Sequence, residues 1–216
     1  MKTEIVVPNE LKDISLKQYQ KFLKIQNEND DQYFLQCKMI EIFCQLDALA
    51  VRKMKLNDAE RVSKIINDIF KNKPKLIQKF TLNGIEYGFL PNLENMSFGE
   101  YIDLDTYISD WQNMHYAMNV LYRPIKEKIK NKYLIKEYNT DTKDNMIDMP
   151  LDVVLGAISF FFHLGMDLST NMMNYLENNQ REDLTDYLSS LESGDGINHF
   201  MHSLREILQS SKISLN

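Results

Sequence analysis

Asn83-Gly84 stands between two short alternating runs, Phe80-Thr81-Leu82 and Ile85-Glu86-Tyr87. The dipeptide favours positive φ at both central positions of a type I′ turn, whose twist matches that of paired strands, so a β-hairpin is predicted here. Two strands alone are marginal in water. The hairpin must therefore pack on helices or gain a third strand. It opens the stretch around which the chain is organised, Asn83 to Ile125. That stretch carries Gly84, Gly88 and Gly99 of the seven glycines, Pro91 and Pro124 of the five prolines, and Trp111, the one tryptophan. Gly88 to Asn95 is expected to be loop. Ser97 and Glu100 form a capping-box pair that opens a helix through Tyr101 and Ile102. Trp111, His115, Met118 and Tyr122 continue at helical spacing until Pro124 ends the helix.

Helical patterning dominates elsewhere. Glu4 to Val7 is predicted as a short strand before Pro8. Ser15 caps a helix with the face Leu16, Tyr19, Phe22 and Leu23. After a polar break, Asp30 or Asp31 starts a second helix with the face Tyr33, Cys37, Ile40, Cys44, Ala48 and Val51. Asn57…Glu60 looks like a capping box for a third, striped by Val62, Ile65, Ile66, Ile69 and Phe70. Lys71, Lys73, Lys75 and Lys79 follow. They read as a solvated helix end that suits the macrodipole. Leu151 to about Leu176 reads as one long or broken helix, apolar nearly all round from Val153 to Leu164, and so central. Gly156 and Gly165 would let neighbours approach it closely. A short helix through Leu184 and Leu191, a turn at Ser193–Gly196 and a last helix with Phe200, Leu204 and Leu208 complete the pattern, and residues 210–216 fray. The expectation is a mainly α fold, a multi-helix domain with a small β-hairpin, in a single domain over 1–216.

Composition excludes several classes. Few glycines and prolines disfavour an all-β sandwich or barrel. A chain of 216 residues is long enough for a real core, hiding roughly 70% of its unfolded surface. Its twelve methionines suit a core filler, or an adaptable assembly surface. The net charge of −6 gives no global pull toward nucleic acid or anionic membrane. Cys37 and Cys44 lie seven residues apart on one predicted helix, about 10.5 Å along it and beyond the ~7 Å reach of a disulfide. Both are expected to be buried free thiols in a reducing compartment. Met1 to Pro8 has no apolar signal core. The run Val153–Met166 is too short to span a bilayer, so no membrane span is expected.

Searches for chemistry end in unassigned residues. Asp103-Leu104-Asp105 begins like a calcium loop but fails, because Tyr107, Ile108 and Met114 occupy the later ligand and glycine positions. His199, His202 and Glu206 share a helix face at metal-ligand spacing, yet opposite the apolar stripe, which favours a solvated face. His163 reads as a satisfied core histidine without a triad partner. Gly84, Gly88 and Gly99 have the wrong spacing for a phosphate loop, and no nucleophile, zincin or C-x-x-C motif occurs. No catalytic, cofactor-binding or metal residue is assigned, and an enzyme is not expected. Charge is segregated, however. Residues 92–110 hold Glu94, Glu100, Asp103, Asp105 and Asp110 without a base, and residues 123–136 hold Arg123, Lys126, Lys128, Lys130, Lys132 and Lys136 against Glu127. Such segregation reads as pairing within the chain or between neighbours. As external faces, the two stretches are the expected contact surfaces.

Three passages carry a resemblance: Val7-Pro8-Asn9-Glu10-Leu11-Lys12-Asp13-Ile14-Ser15-Leu16-Lys17-Gln18-Tyr19-Gln20-Lys21-Phe22, Tyr87-Gly88-Phe89-Leu90-Pro91-Asn92-Leu93 with Gly99-Glu100-Tyr101-Ile102-Asp103-Leu104-Asp105, and Asp110-Trp111 with His115-Tyr116-Ala117-Met118-Asn119-Val120-Leu121-Tyr122-Arg123-Pro124. In these the chain resembles small proteins of the structural modules of tailed bacteriophages, and among them those of the crAss-like phages. The likeness covers most of the first 125 residues and is weaker after Tyr133. It implies a non-enzymatic protein of the virion or its assembly. One role is a cargo protein held in the portal or tail lumen and ejected with the genome. The other is a tail-assembly chaperone absent from the finished particle. Portal, tail or ring proteins are the implied partners, with self-association open, in the virion and in the host cytoplasm during assembly. A third role, an injected host-directed protein binding nucleic acid through the lysine run, remains as an alternative.

Overall fold

The computed structural model describes residues 5–130, 132–139 and 146–178. Among these residues the helices are α1 (Leu16–Glu28), α2 (Gln32–Phe43), α3 (Ala48–Arg52), α4 (Leu56–Ile69), α5 (Phe98–Ile108), α6 (Met114–Leu121) and α7 (Leu151–Asn178). The strands are β1 (Lys79–Leu82), β2 (Ile85–Phe89), β3 (Tyr122–Ile129) and β4 (Lys132–Ile135). The predicted hairpin forms, with Asn83 and Gly84 both at positive φ. It is half of a four-stranded antiparallel sheet of order β1-β2-β3-β4. The fold is therefore helix-rich but mixed, and the expectation of a mainly α domain with only a small hairpin is corrected. The extra strands come from the basic stretch. Its lysines alternate with Ile125, Ile129, Tyr133 and Ile135, a period of two that suits a strand, although the register shift after Ile125 leaves Ile129 exposed.

Pro124 ends the helix as expected, but the chain turns at once into a strand. Helix α6 stops at Leu121, and β3 starts at the next residue. Pro124 pairs with Tyr87 of β2, and its carbonyl accepts from the Lys136 amide at 3.0 Å. A register shift follows between Ile125 and Glu127. A proline is tolerated inside a sheet beside such an irregularity, where its missing N–H breaks no regular rung. Likewise β2 runs through Gly88 to Phe89, where loop was expected.

The sheet packs one face on the helices. Phe80, Tyr87, Phe89 and Tyr122 form a ring cluster with centroids 5.2–5.4 Å apart, and Phe89 also meets Phe160 and Phe161 of α7. The expectation for α7 holds over its first half. Leu151, Val154, Ala157 and Ile158 are fully buried. Its start is tied to the start of α1, since the Leu16 amide donates to Met149 and the Leu151 amide to Ile14, both at 2.9 Å. Gly156 lets the Lys75 carbonyl sit where a Cβ would lie. The connection from α4 to β1 thus crosses α7 at a position with no side chain. One hydrophobic cluster joins α1, α2, α4, the sheet, α6 and α7.

Helix α1 matches its prediction in cap and face. Ser15 and Gln18 form a capping box, and Leu16, Tyr19, Phe22 and Leu23 are buried. The second helix differs. It stops at Phe43, Gln45 takes φ 54°, and Asp47 caps a separate α3 by accepting from the Ala50 amide at 2.7 Å. Its buried face is Leu35, Met39, Ile40, Ile42 and Phe43, while Tyr33 is 80% exposed. The reason is that Tyr33, Phe34, Leu35, Cys37, Met39, Ile40, Ile42 and Phe43 surround the helix. Periodicity alone then selects no face. Helix α4 begins two residues early, with Lys55 rather than Asn57 at its cap, and Ile65 stands partly outside the buried stripe. Residues 5–7 form no strand. The elements expected after Asn178 and the C-terminal 210–216 lie outside the described residues.

Candidate interaction surfaces

The two charge stretches meet at one point. The Ser97 capping box opens α5 and sets Glu100 at its third residue, where Glu100 Oε2 accepts from the Ser97 amide at 2.6 Å. Its other oxygen receives Arg123 Nη1 at 2.8 Å, with the two side chains only 8% and 10% exposed. The guanidinium lies 6.0 Å from the centre of the Tyr138 ring. Tyr138 Oη donates to Asp103 Oδ2 at 2.7 Å. Burial first, then this bond to Asp103, pushes the Tyr138 phenol well above its ordinary value. These four residues tie the first turns of α5 to the beginning of β3 and to the chain just past β4. Glu100 and Arg123 are thus an internal pair, and the expectation that they belong to external contact surfaces is corrected. A buried pair of this kind is weak evidence for net stability, but removing one partner leaves an uncompensated charge.

What remains of each stretch is exposed and partly apolar. On α5 the buried face is Glu100, Leu104 and Ile108. Phe98 and Ile102 lie two positions away, about 200° round the helix, and are 79% and 45% exposed. Tyr101 joins them at the margin, with Asp105 one turn on. The helix is apolar on two sides and packs with only one. At the other end of the sheet, β3 and β4 close over Lys130, which takes φ 54°. Ile129 and Leu134 are each 51% exposed there. Lys126, Lys130 and Lys132 are exposed around them and form no ion pair among the described residues, while Lys128 pairs with Glu86. The signal for these apolar positions was present in the sequence. Phe98 and Ile102 do not share a face with Leu104 and Ile108. That mismatch marks a two-sided helix, a signal masked by the acids in the same stretch.

Other expected features fall apart or fall outside. Cys44 is buried, and burial pushes its thiol up to about 11. Cys37 is exposed, contrary to expectation, because α2 is rotated relative to the predicted stripe. His163 is exposed rather than a core residue, and its Nδ1 lies 2.6 Å from the Ser159 carbonyl on the preceding turn. His199, His202 and Glu206 lie outside the described residues, and among the described residues no cluster has metal-ligand geometry. Of the first lysine group, Lys71 pairs with Asp68, Lys73 and Lys75 stand past the end of α4 on the path to β1, and Lys79 is the first residue of β1. Lys79 approaches the Tyr133 ring at 5.9 Å. That ring covers Gly88, whose missing side chain makes room for it, and Tyr133 Oη donates to the Phe89 carbonyl at 2.7 Å. A surface groove of about 440 Å³ runs beside the start of α1, lined by Lys12, Asp13, Ser15, Lys17, Gln18 and Gln45. Its central Gln18 is already engaged, with Ser15 at one end and the Ile42 carbonyl at the other. Among the described residues no helix is long and apolar enough to cross a membrane.

Compared with known proteins, the chain matches no family model, no curated protein and no solved structure.

Proposed function

We propose that this protein is a non-enzymatic component of tailed-phage particles or of their assembly, and that it works by binding other proteins. The observation that carries the reading is the pair of surfaces at the two ends of the sheet. Each combines exposed large apolar side chains with charge of one sign: Phe98 and Ile102 with the half-buried Asp105 on the outer side of α5, Ile129 and Leu134 among lysines. Exposed apolar groups rimmed by polar ones mark contact sites, and segregated charge sets register and partner choice. Within this reading, cargo carried in the portal or tail lumen stands first, with portal, tail or ring proteins as partners. The thiols fit passage through a narrow channel, since Cys37 and Cys44 are both free. Counting the protein against the portal in purified particles by quantitative mass spectrometry tests it. A fixed ratio fits a built-in component, and a high irregular ratio fits packed cargo. Absence from particles but presence in infected cells would replace both with an assembly chaperone.

A second reading has one observation in its favour. Lys79 and Lys128 come from the two separate lysine groups, and the sheet brings them to the face that carries Tyr133. Lysines around an aromatic ring on a strand face suit a nucleic-acid strand. Duplex or single-stranded DNA binding with a steep salt dependence would support a host-directed role. Absent binding at low salt removes it.

A further inference from the structure

We infer that the two end surfaces bind each other between copies, so that the protein self-associates head to tail through the β3–β4 hairpin of one copy and the outer face of α5 of the next. The inference rests on the contact reading above and names its partner as a second copy of this chain. Three observations carry it.

First, the surfaces are complementary. No lysine or arginine occurs between Asn92 and Tyr122, and with Glu100 spent on Arg123 the carboxylate left on the face of α5 that carries Phe98 and Ile102 is the half-buried Asp105, whereas the hairpin presents Lys126, Lys130 and Lys132 without ion pairs among the described residues. Each surface centres on exposed apolar side chains, Phe98 and Ile102 on one and Ile129 and Leu134 on the other. Second, one copy cannot join them. Strands β1 and β3 run in the same direction in an antiparallel sheet, so both hairpin turns lie at one end of it. Helix α5 belongs to the connection between β2 and β3 and meets the opposite end, where Glu100 holds Arg123. Seven residues of strand separate Arg123 from Lys130, which is roughly 23 Å at 3.3 Å per residue. Third, two of the charged groups at the α5 end are already engaged within the fold. Glu100 is engaged by Arg123 and Asp103 by Tyr138, so these contacts fix which side of α5 faces the sheet and which side is left outward. Two different surfaces on opposite ends make a heterologous contact, which closes into a ring or grows as a chain.

Sedimentation velocity across a concentration series tests this on the full-length chain. The expected result is concentration-dependent association that weakens as salt rises, because exposed charges are screened. The variant Phe98→Ser/Ile102→Ser should lose it, with the dissociation constant rising about tenfold or more. So should Ile129→Thr/Leu134→Thr. All four side chains are substantially exposed, and thermal melts check that the fold is kept. The decisive step mixes the two variants. Each retains one good surface, so the mixture should form a dimer and stop there. Association unaffected by either variant overturns the inference, as does a mixture that stays monomeric or grows beyond a dimer. A wild-type chain that remains monomeric throughout also overturns it. If that monomer is still found at a fixed ratio in particles, the contact reading stands with a different partner, so the two failures are distinguishable. Binding of DNA by the hairpin lysines in place of a second copy would be a further contrary outcome.

Discussion

The two ends of β3 carry the same kind of residue and do different things with it. At the start, Tyr122, Arg123 and Pro124 are buried, and the Arg123 charge is held by Glu100. Toward the far end, Lys128, Ile129 and Lys130 are exposed. One strand thus begins as a structural lock and finishes as a surface. A run of like charges in a sequence is not one functional unit. What each charge does depends on whether the fold surrounds it before a partner can.

Breaking the lock should produce the largest effect. Glu100→Gln leaves Arg123 buried against a neutral group and should lower unfolding stability by ~3–5 kcal/mol, measured by urea denaturation. The paired replacement Glu100→Leu/Arg123→Met should restore most of that loss, because apolar groups of similar volume need no compensation. If the double variant is as unstable as the single one, the pair does more than neutralise itself. The middle of the sheet comes next. Gly88→Val puts a side chain where the Tyr133 ring lies, and overpacking of this kind costs ~1–3 kcal/mol. At the lock again, Tyr138→Phe removes the hydrogen bond to Asp103, a loss of about 1 kcal/mol at neutral pH. Its pH dependence is more telling. The Tyr138 phenol is raised in the folded state from an ordinary value of 10.0. The folded protein then holds that proton longer than the unfolded chain. Its contribution is fully present below pH 10 and is lost as pH rises through the folded-state value. Wild type should therefore lose more stability than Tyr138→Phe in alkaline melts, and parallel curves would show that the phenol is not part of the lock.

The surface end should respond in the opposite sense or hardly at all. Lys130→Gly relieves the positive φ at the hairpin turn and should raise stability by up to about 1 kcal/mol. Reversing Lys126, Lys130 and Lys132 to glutamate should shift stability by no more than about 0.5 kcal/mol, while abolishing association. A large stability loss from that reversal would mean that these lysines, like Arg123, are paired within the fold.

Much of this architecture was legible before any coordinates. Ser15 with Gln18, and Ser97 with Glu100, announce helix starts because a capping box is satisfied within four residues. Asn83-Gly84 announces its turn because few residues accept positive φ. Gly156 is informative for a related reason, since a missing side chain matters wherever backbone must cross. The position of α7 followed from its nearly continuous apolar run between Val153 and Leu164.

The rest depended on partners distant in sequence. The face of α2 was not readable, because a helix that is apolar nearly all round has no preferred side until α1 and α4 cover one, and that choice buries Cys44 and exposes Cys37. The strands β3 and β4 were hidden by their lysines, which mask a two-residue alternation that becomes stable only once β3 pairs with β2 and β4 with β3. Local chemistry therefore determined where helices begin, where the hairpin turns and which segment is central, because those choices involve atoms a few residues apart. Tertiary structure alone decided which charges are locked inside and which face outward. Glu100 and Arg123 are separated by a helix, a turn and another helix, and burial is a property of what lies around a residue rather than of the residue itself.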